Sequence, residues 1–116
     1  MRLLVLGGTV FLGRHVVDAA LVHDIGKTRE FTYGAAIELS DEGRLLGHLA
    51  LGQRILEERM DGMDAERRLA LLHCVLCHHG PDAAPHRRFA SPEALALYRL
   101  NALDASVKGA LEHGLP

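Results

Sequence analysis

Residues 21–27 read LVHDIGK. An apolar pair leads into adjacent His23 and Asp24, and Gly26 separates them from Lys27. This reads as a helix end that grips a metal: an imidazole and a carboxylate in the last turn, then glycine as a stop. Upstream, Leu12, Val16, Ala19, Ala20 and His23 recur at spacings of three and four, which predicts a helix from Phe11 or Leu12 to Asp24. Downstream, 29–33 and 35–39 are short β-prone runs around Gly34, a predicted hairpin.

Three further helices follow. Ser40 with Asp41 and Glu42 behind it is an N-cap with acids at the positive end of the dipole, opening a helix from Gly43 to Met60. Asp64 caps a helix over 65–79, ended by Gly80 and Pro81. Its stretch LALLHCVLC (69–77) is apolar on every side, so this helix should be central and buried. A loop over 81–90 carries His86, Arg87 and Arg88, and Ser91-Pro92 opens a last helix to about Glu112. On it, Leu97, Leu100, Leu103, Val107 and Leu111 form the expected buried stripe. The fold class is mainly α, a helical bundle with a small β-hairpin, and the β-prone run Arg2–Leu6 allows one extra N-terminal strand.

The length of 116 residues suits one domain. Aromatics at 4% with no Trp argue against stacking platforms for nucleic acid. A formal charge of -2 gives no global basic field, so any nucleic-acid contact must be local. Two cysteines make no disulfide scaffold, and no apolar run approaches the roughly 18 residues of a membrane span. The expectation is a cytoplasmic protein without a membrane partner.

Eight histidines stand out. His23 and Asp24 end the first helix, His48 lies early in the second, His78 and His79 end the third, and Asp104 sits in the last. Ligands from four helices are a natural way to build a metal site in a bundle core. Asp104 lies beside the expected buried stripe, where a carboxylate costs several kcal/mol unless paired or metal-bound. Imidazoles with carboxylates suit Mn, Fe, Zn or Ni, and Mg where oxygen dominates. Two ions can clamp both oxygens of a displacement at phosphorus.

LVHDIGK (21–27), GHLALG (47–52), LCHHG (76–80) and LNALDASV (100–107), in this order, resemble the HD-domain metal-dependent phosphohydrolases. The hairpin segment EFTYGAAIELSDEG (30–43) is similar to the bacterial branch that degrades RNA from its 3′ end. The resemblance covers residues 20–114 and implies an HD-domain-like bundle binding one or two divalent ions. It implies His23 and Asp24 as paired ligands, with Asp24 bridging two ions. His48, His78 and His79 would serve the second ion and Asp104 the first. Lys27 would act with Asp24 in catalysis by facing the phosphate. Arg87 and Arg88 would contact the backbone of a phosphoester or nucleic-acid substrate, or else serve only to solvate their loop. The family carries another histidine on an upstream helix. The histidine upstream here is His15, about 12 Å of helical rise from His23, so impaired activity is expected. The alternative is a catalytically inactive protein with vestigial ligands.

MRLLVLGGTVFLGRHVVDAAL (1–21) resembles the first strand, loop and helix of NAD-dependent epimerases, with Gly7, Val10 and Gly13 at the three glycine positions. A single βα unit makes no dinucleotide site, so bound NAD is not expected. The two resemblances suggest a chimera: a Rossmann-like fragment over 1–21, not an independent domain, joined to a truncated HD domain over 22–116. A bare apolar strand invites pairing, so a homodimer is expected. Cys74, Cys77 and His78 fit the C-x-x-C-H haem pattern, but their apolar helix points to core packing of two thiols, and haem is not expected.

Overall fold

A computed structural model of the chain describes residues 12–116. The elements run α1 (Leu12–Val22), α2 (Lys27–Glu30), β1 (Phe31–Tyr33), β2 (Ile37–Leu39), α3 (Asp41–Arg59), α4 (Ala65–Leu76) and α5 (Pro92–His113). Two short 3-10 turns, Pro81–Ala83 and Pro85–Arg87, join α4 to α5. The strands pair antiparallel as Phe31 with Leu39, Thr32 with Glu38 and Tyr33 with Ile37. This is the expected mainly α fold with a small hairpin. The expected N-terminal strand, its glycine loop and the dimer contact built on that strand lie outside the described residues.

The helix starts are chemical. Ser40 Oγ accepts the Gly43 N–H at 2.9 Å, Asp64 Oδ2 accepts that of Arg67 at 3.0 Å, and Ser91 Oγ accepts that of Ala94 at 3.2 Å. Each such cap contributes about 1 kcal/mol. The core has two parts. Ala19 of α1 meets Cys74 and Cys77, Ala84, and Ala94 and Leu97 of α5. Leu56 and Met60 from the end of α3 meet Val75 of α4, with Val22 and Ile25 against them. Alanines at Ala19 and Ala94, both fully buried, let α1 and α5 approach closely. Burial of Leu97 and Val75 contributes about 1.5–3 kcal/mol each.

Four expectations need correction. α1 ends at Val22 and His23 to Gly26 form turns; Gly26 is right-handed (φ -59°) and leads into α2, so it is not the left-handed helix stop expected. Arg29 and Glu30 belong to α2, not to the first strand: the amides of Lys27, Thr28, Arg29 and Glu30 bond back to Asp24, Ile25 and Gly26 carbonyls. α4 ends at Leu76, and only its last turns are enclosed: Cys74 and Val75 are buried, whereas Leu69 is 68% exposed. On α5, Leu97 is buried but Leu103, Val107 and Leu111 are 60%, 50% and 84% exposed. Spacing guarantees that these residues share a face; it does not supply a partner, and the cover over α5 lies at Ala94 and Leu97.

Candidate metal centre

Three stretches of chain deliver the polar cluster. The turn after α1 carries His23 and Asp24, and α2 opens directly behind it with Lys27. α3 carries His48, directly after a break at Gly47 (φ 72°, ψ 167°), a left-handed conformation that glycine adopts at little cost. The turn after α4 carries His78 and His79. Gly26 lets the first two meet, since a Cβ there would overlap the His48 carbonyl oxygen and stand 2.6 Å from the Gly52 nitrogen.

Asp24 is the hub. Its Oδ1 lies 3.3 Å from His78 Nε2 and 3.8 Å from His48 Nε2. Its Oδ2 lies 3.2 Å from His23 Nε2 and 3.4 Å from Lys27 Nζ. The Nε2 atoms of His48 and His79 are 2.9 Å apart. Asp24, His48, His78 and His79 each offer one ligand atom, and these atoms all lie within 4.8 Å of one another.

Hydrogen bonding sets the imidazole tautomers. His23 Nδ1 donates to the Ala20 carbonyl at 2.7 Å, and His78 Nδ1 donates to that of Val75 at 2.6 Å. A carbonyl only accepts, so each Nδ1 carries the proton and, in the neutral ring, Nε2 presents a lone pair. Both Nε2 atoms are buried without a hydrogen-bond partner, and both are aimed at the Asp24 carboxylate. A lone pair facing a carboxylate in a buried site is costly unless a positive centre lies between them.

The charge states agree. Burial works to raise the Asp24 pKa, but the electrostatic influence of the neighbouring His23, Lys27 and His78 outweighs it and holds the carboxyl below its usual range. Burial pushes His78 down to about 4. Burial, then the neighbouring His48, lowers His79. At neutral pH Asp24 is ionised and His78 and His79 are neutral, the states that metal ligation needs. Donors about 2.0–2.2 Å from one ion stand up to roughly 4.4 Å apart, close to the observed spread. The donor set therefore fits a divalent transition ion.

Among the other expected residues, His23 and Lys27 reach the cluster through Asp24 Oδ2. Asp104 is half-buried on α5 and stands outside the four-residue group. Arg87 and Arg88 are exposed on the loop before α5, with Arg87 Nε 3.9 Å from Asp82. Cys74 and Cys77 are buried free thiols, and burial pushes Cys74 up to about 11, so they pack as protonated apolar groups. Sequence reasoning missed Glu30. Its Oε1 lies 3.4 Å from His48 Nδ1, a partner 18 positions away that no local pattern marks.

The family model described as HD domain matches residues 13–106. The chain is 32% identical over 107 residues to the 3′-5′ exoribonuclease YhaM of Bacillus pumilus, covering 83% of this chain and 32% of that protein. It is 30% identical over 100 residues to the YhaM of Bacillus licheniformis, covering 83% and 32%, and 30% identical over 95 residues to that of Shouchella clausii, covering 75% and 28%. The chain thus spans about a third of the length of the curated relatives it matches. No solved structure matches it. The family match begins at Gly13, inside the stretch that resembles epimerases, and neither that fragment nor a chimera finds support. No helix among the described residues is long and apolar enough to cross a membrane.

Proposed function

The chain belongs to the HD-domain family, and on that footing we propose that it is a metal-dependent phosphohydrolase acting on phosphoesters of nucleic acid. The observation that carries this reading is the convergence of buried, unpartnered imidazole nitrogens of His23 and His78 on the single ionised carboxylate of Asp24. Asp24, His48, His78 and His79 would hold the ion, with His23 at the second carboxylate oxygen. Such an ion supplies, when bound, Lewis-acid stabilisation of phosphoryl charge and a lowered water pKa.

The chain's own groups do the rest. Asp24 stays ionised at neutral pH and keeps its two oxygens turned toward different partners. His23 and His78 are locked by their Nδ1 bonds, so their Nε2 atoms need no reorganisation to act as donors. Lys27 is exposed, and its ammonium near Asp24 can meet the negative charge of a phosphodiester arriving from solvent. His79 is the exposed member of the donor group, which places the open side of the cluster beside it. The YhaM relatives are named 3′-5′ exoribonucleases, and RNA shortened from its 3′ end is accordingly the first substrate to try.

The test is turnover of bis-(p-nitrophenyl) phosphate and of a 5′-labelled RNA oligonucleotide by chelator-stripped protein reloaded with Mn, Fe, Zn, Ni or Mg. Metal-dependent cleavage lost in Asp24→Asn supports the reading. Absence of turnover with every ion, or turnover indifferent to Asp24→Asn, overturns it.

A further inference from the structure

We propose that Glu30 is a positioning residue for this centre: its carboxylate fixes the tautomer and direction of His48 while capping the helical segment on which His48 rides. The proposal rests on the metal-site reading in that His48 is taken as a ligand.

The geometry follows from the break in α3. At Gly47 the backbone leaves the helix, and the helix resumes at His48. A restarting helix has free amides in its first turn. That of His48 is accepted by Glu30 Oε1 at 3.2 Å. The same oxygen lies 3.4 Å from His48 Nδ1. An ionised carboxylate has no proton to give, so Nδ1 is the donor and the neutral ring turns its Nε2 lone pair toward Asp24 and His79. One carboxylate oxygen thereby holds both the backbone and the ring of one residue, leaving the imidazole little freedom to rotate.

Glu30 is itself held in place. Its side chain is 13% exposed. Its carbonyl accepts from the Ser40 amide at 2.9 Å, and Ser40 Oγ donates to the adjoining Arg29 carbonyl at 2.6 Å. Gly43 lies flat against its backbone, where a Cβ would come within 2.8 Å of the Glu30 carbonyl carbon. The cap residue of α3 thus anchors the carboxylate that caps its second half. The Nδ1 of His23 and of His78 is held by a main-chain carbonyl, whereas that of His48 is held by a side chain and can be reprogrammed by substitution. Carboxylate partners of ligating imidazoles fix ring orientation, and their loss typically weakens metal binding about 10- to 100-fold.

The experiment uses 15N-labelled imidazole NMR on metal-free protein at alkaline pH, with competition titration of Zn or Mn on the same samples. In the wild type, His48 should show the Nδ1–H tautomer. Glu30→Gln keeps an acceptor oxygen, so it should retain that tautomer and near-native affinity. Glu30→Ala should show mixed tautomers and a loss of affinity of about 10- to 100-fold. An Nε2–H tautomer in the wild type overturns the proposal, and so does a Glu30→Ala protein with unchanged tautomer, whatever its affinity. If loss of the cap prevents Glu30→Ala from folding, the wild-type tautomer and the Glu30→Gln result still decide. The tautomer is read without metal. Failure of every variant and of the wild type to bind an ion therefore sinks the hydrolase reading and leaves the assignment of Glu30 to be judged by its own signal.

Discussion

Replacing Gly26 with alanine sets two effects of opposite sign against each other. Gly26 has φ -59° and ψ -24°, ordinary right-handed backbone. In such a conformation alanine stabilises by about 0.5–1 kcal/mol, because the unfolded chain loses freedom. The space tells otherwise. A Cβ at residue 26 overlaps the His48 carbonyl oxygen, stands 2.7 Å from the His48 carbonyl carbon and 2.6 Å from the Gly52 nitrogen. Such contacts relax at about 3.5 Å, so clearing the overlap with the His48 oxygen needs the turn to withdraw by about 1.5 Å from α3. The obstructing atoms are main chain and cannot swing aside as a side-chain tip does. Overpacking of this kind costs about 1–3 kcal/mol, and steric overlap wins. Because the turn carries Asp24 and α3 carries His48, withdrawal also opens the 3.8 Å approach between them. Urea unfolding in chelator should show Gly26→Ala destabilised by about 2 kcal/mol with an unchanged m-value. Gly34→Ala, with nothing within 4 Å, should stay within about 0.5 kcal/mol of wild type. A Gly26→Ala protein as stable as wild type, binding metal as well, would refute the close packing of the turn on α3.

Acidification should destabilise the metal-free protein. The folded pKa of His78 is about 4 against an ordinary 6.5, so the unfolded chain takes up the proton first. Its contribution is complete above pH 6.5 and lost on the way down to about 4, a total of about 3 kcal/mol. Asp24, lowered from 3.8, adds a further loss below that window. Denaturation midpoints that stay flat over this range would contradict the buried neutral ring. Cys74 and Cys77 should react slowly with Ellman's reagent in the native protein and rapidly in urea; fast native labelling would show that α4 does not enclose them. Leu97→Ala should cost about 2–5 kcal/mol by urea unfolding, whereas Leu103→Ser should change stability by no more than about 0.5 kcal/mol. Equal losses at the two positions would mean that α5 is covered along its whole length.

What could be read from the chain alone was local. Ser40, Asp64 and Ser91 announced three helix starts because a cap needs only an oxygen and an amide a few residues on. His23, Asp24, His48, His78 and His79, whose side chains the fold brings together, stand out as candidate ligands by residue type and by their places at helix ends and after a glycine. What needed a partner was hidden. Gly26 looked like a helix stop, yet its role is the close passage of another backbone. Leu103, Val107 and Leu111 have the spacing of a buried face, but periodicity carries no information about what lies opposite. Glu30 looked like part of a strand, and its function is visible only once His48 is beside it.

The donors that meet at Asp24 come from widely separated stretches, as the 31 positions between His48 and His79 illustrate. Secondary structure by itself brings only immediate neighbours together, and closing such long intervals is the slow part of assembly. A refolding chain that had coiled all its segments without docking them would have no high-affinity sink for a cation. Stopped-flow uptake of a fluorescent zinc reporter would therefore clock the final docking event, while circular dichroism on the same mixing would clock the coiling that precedes it.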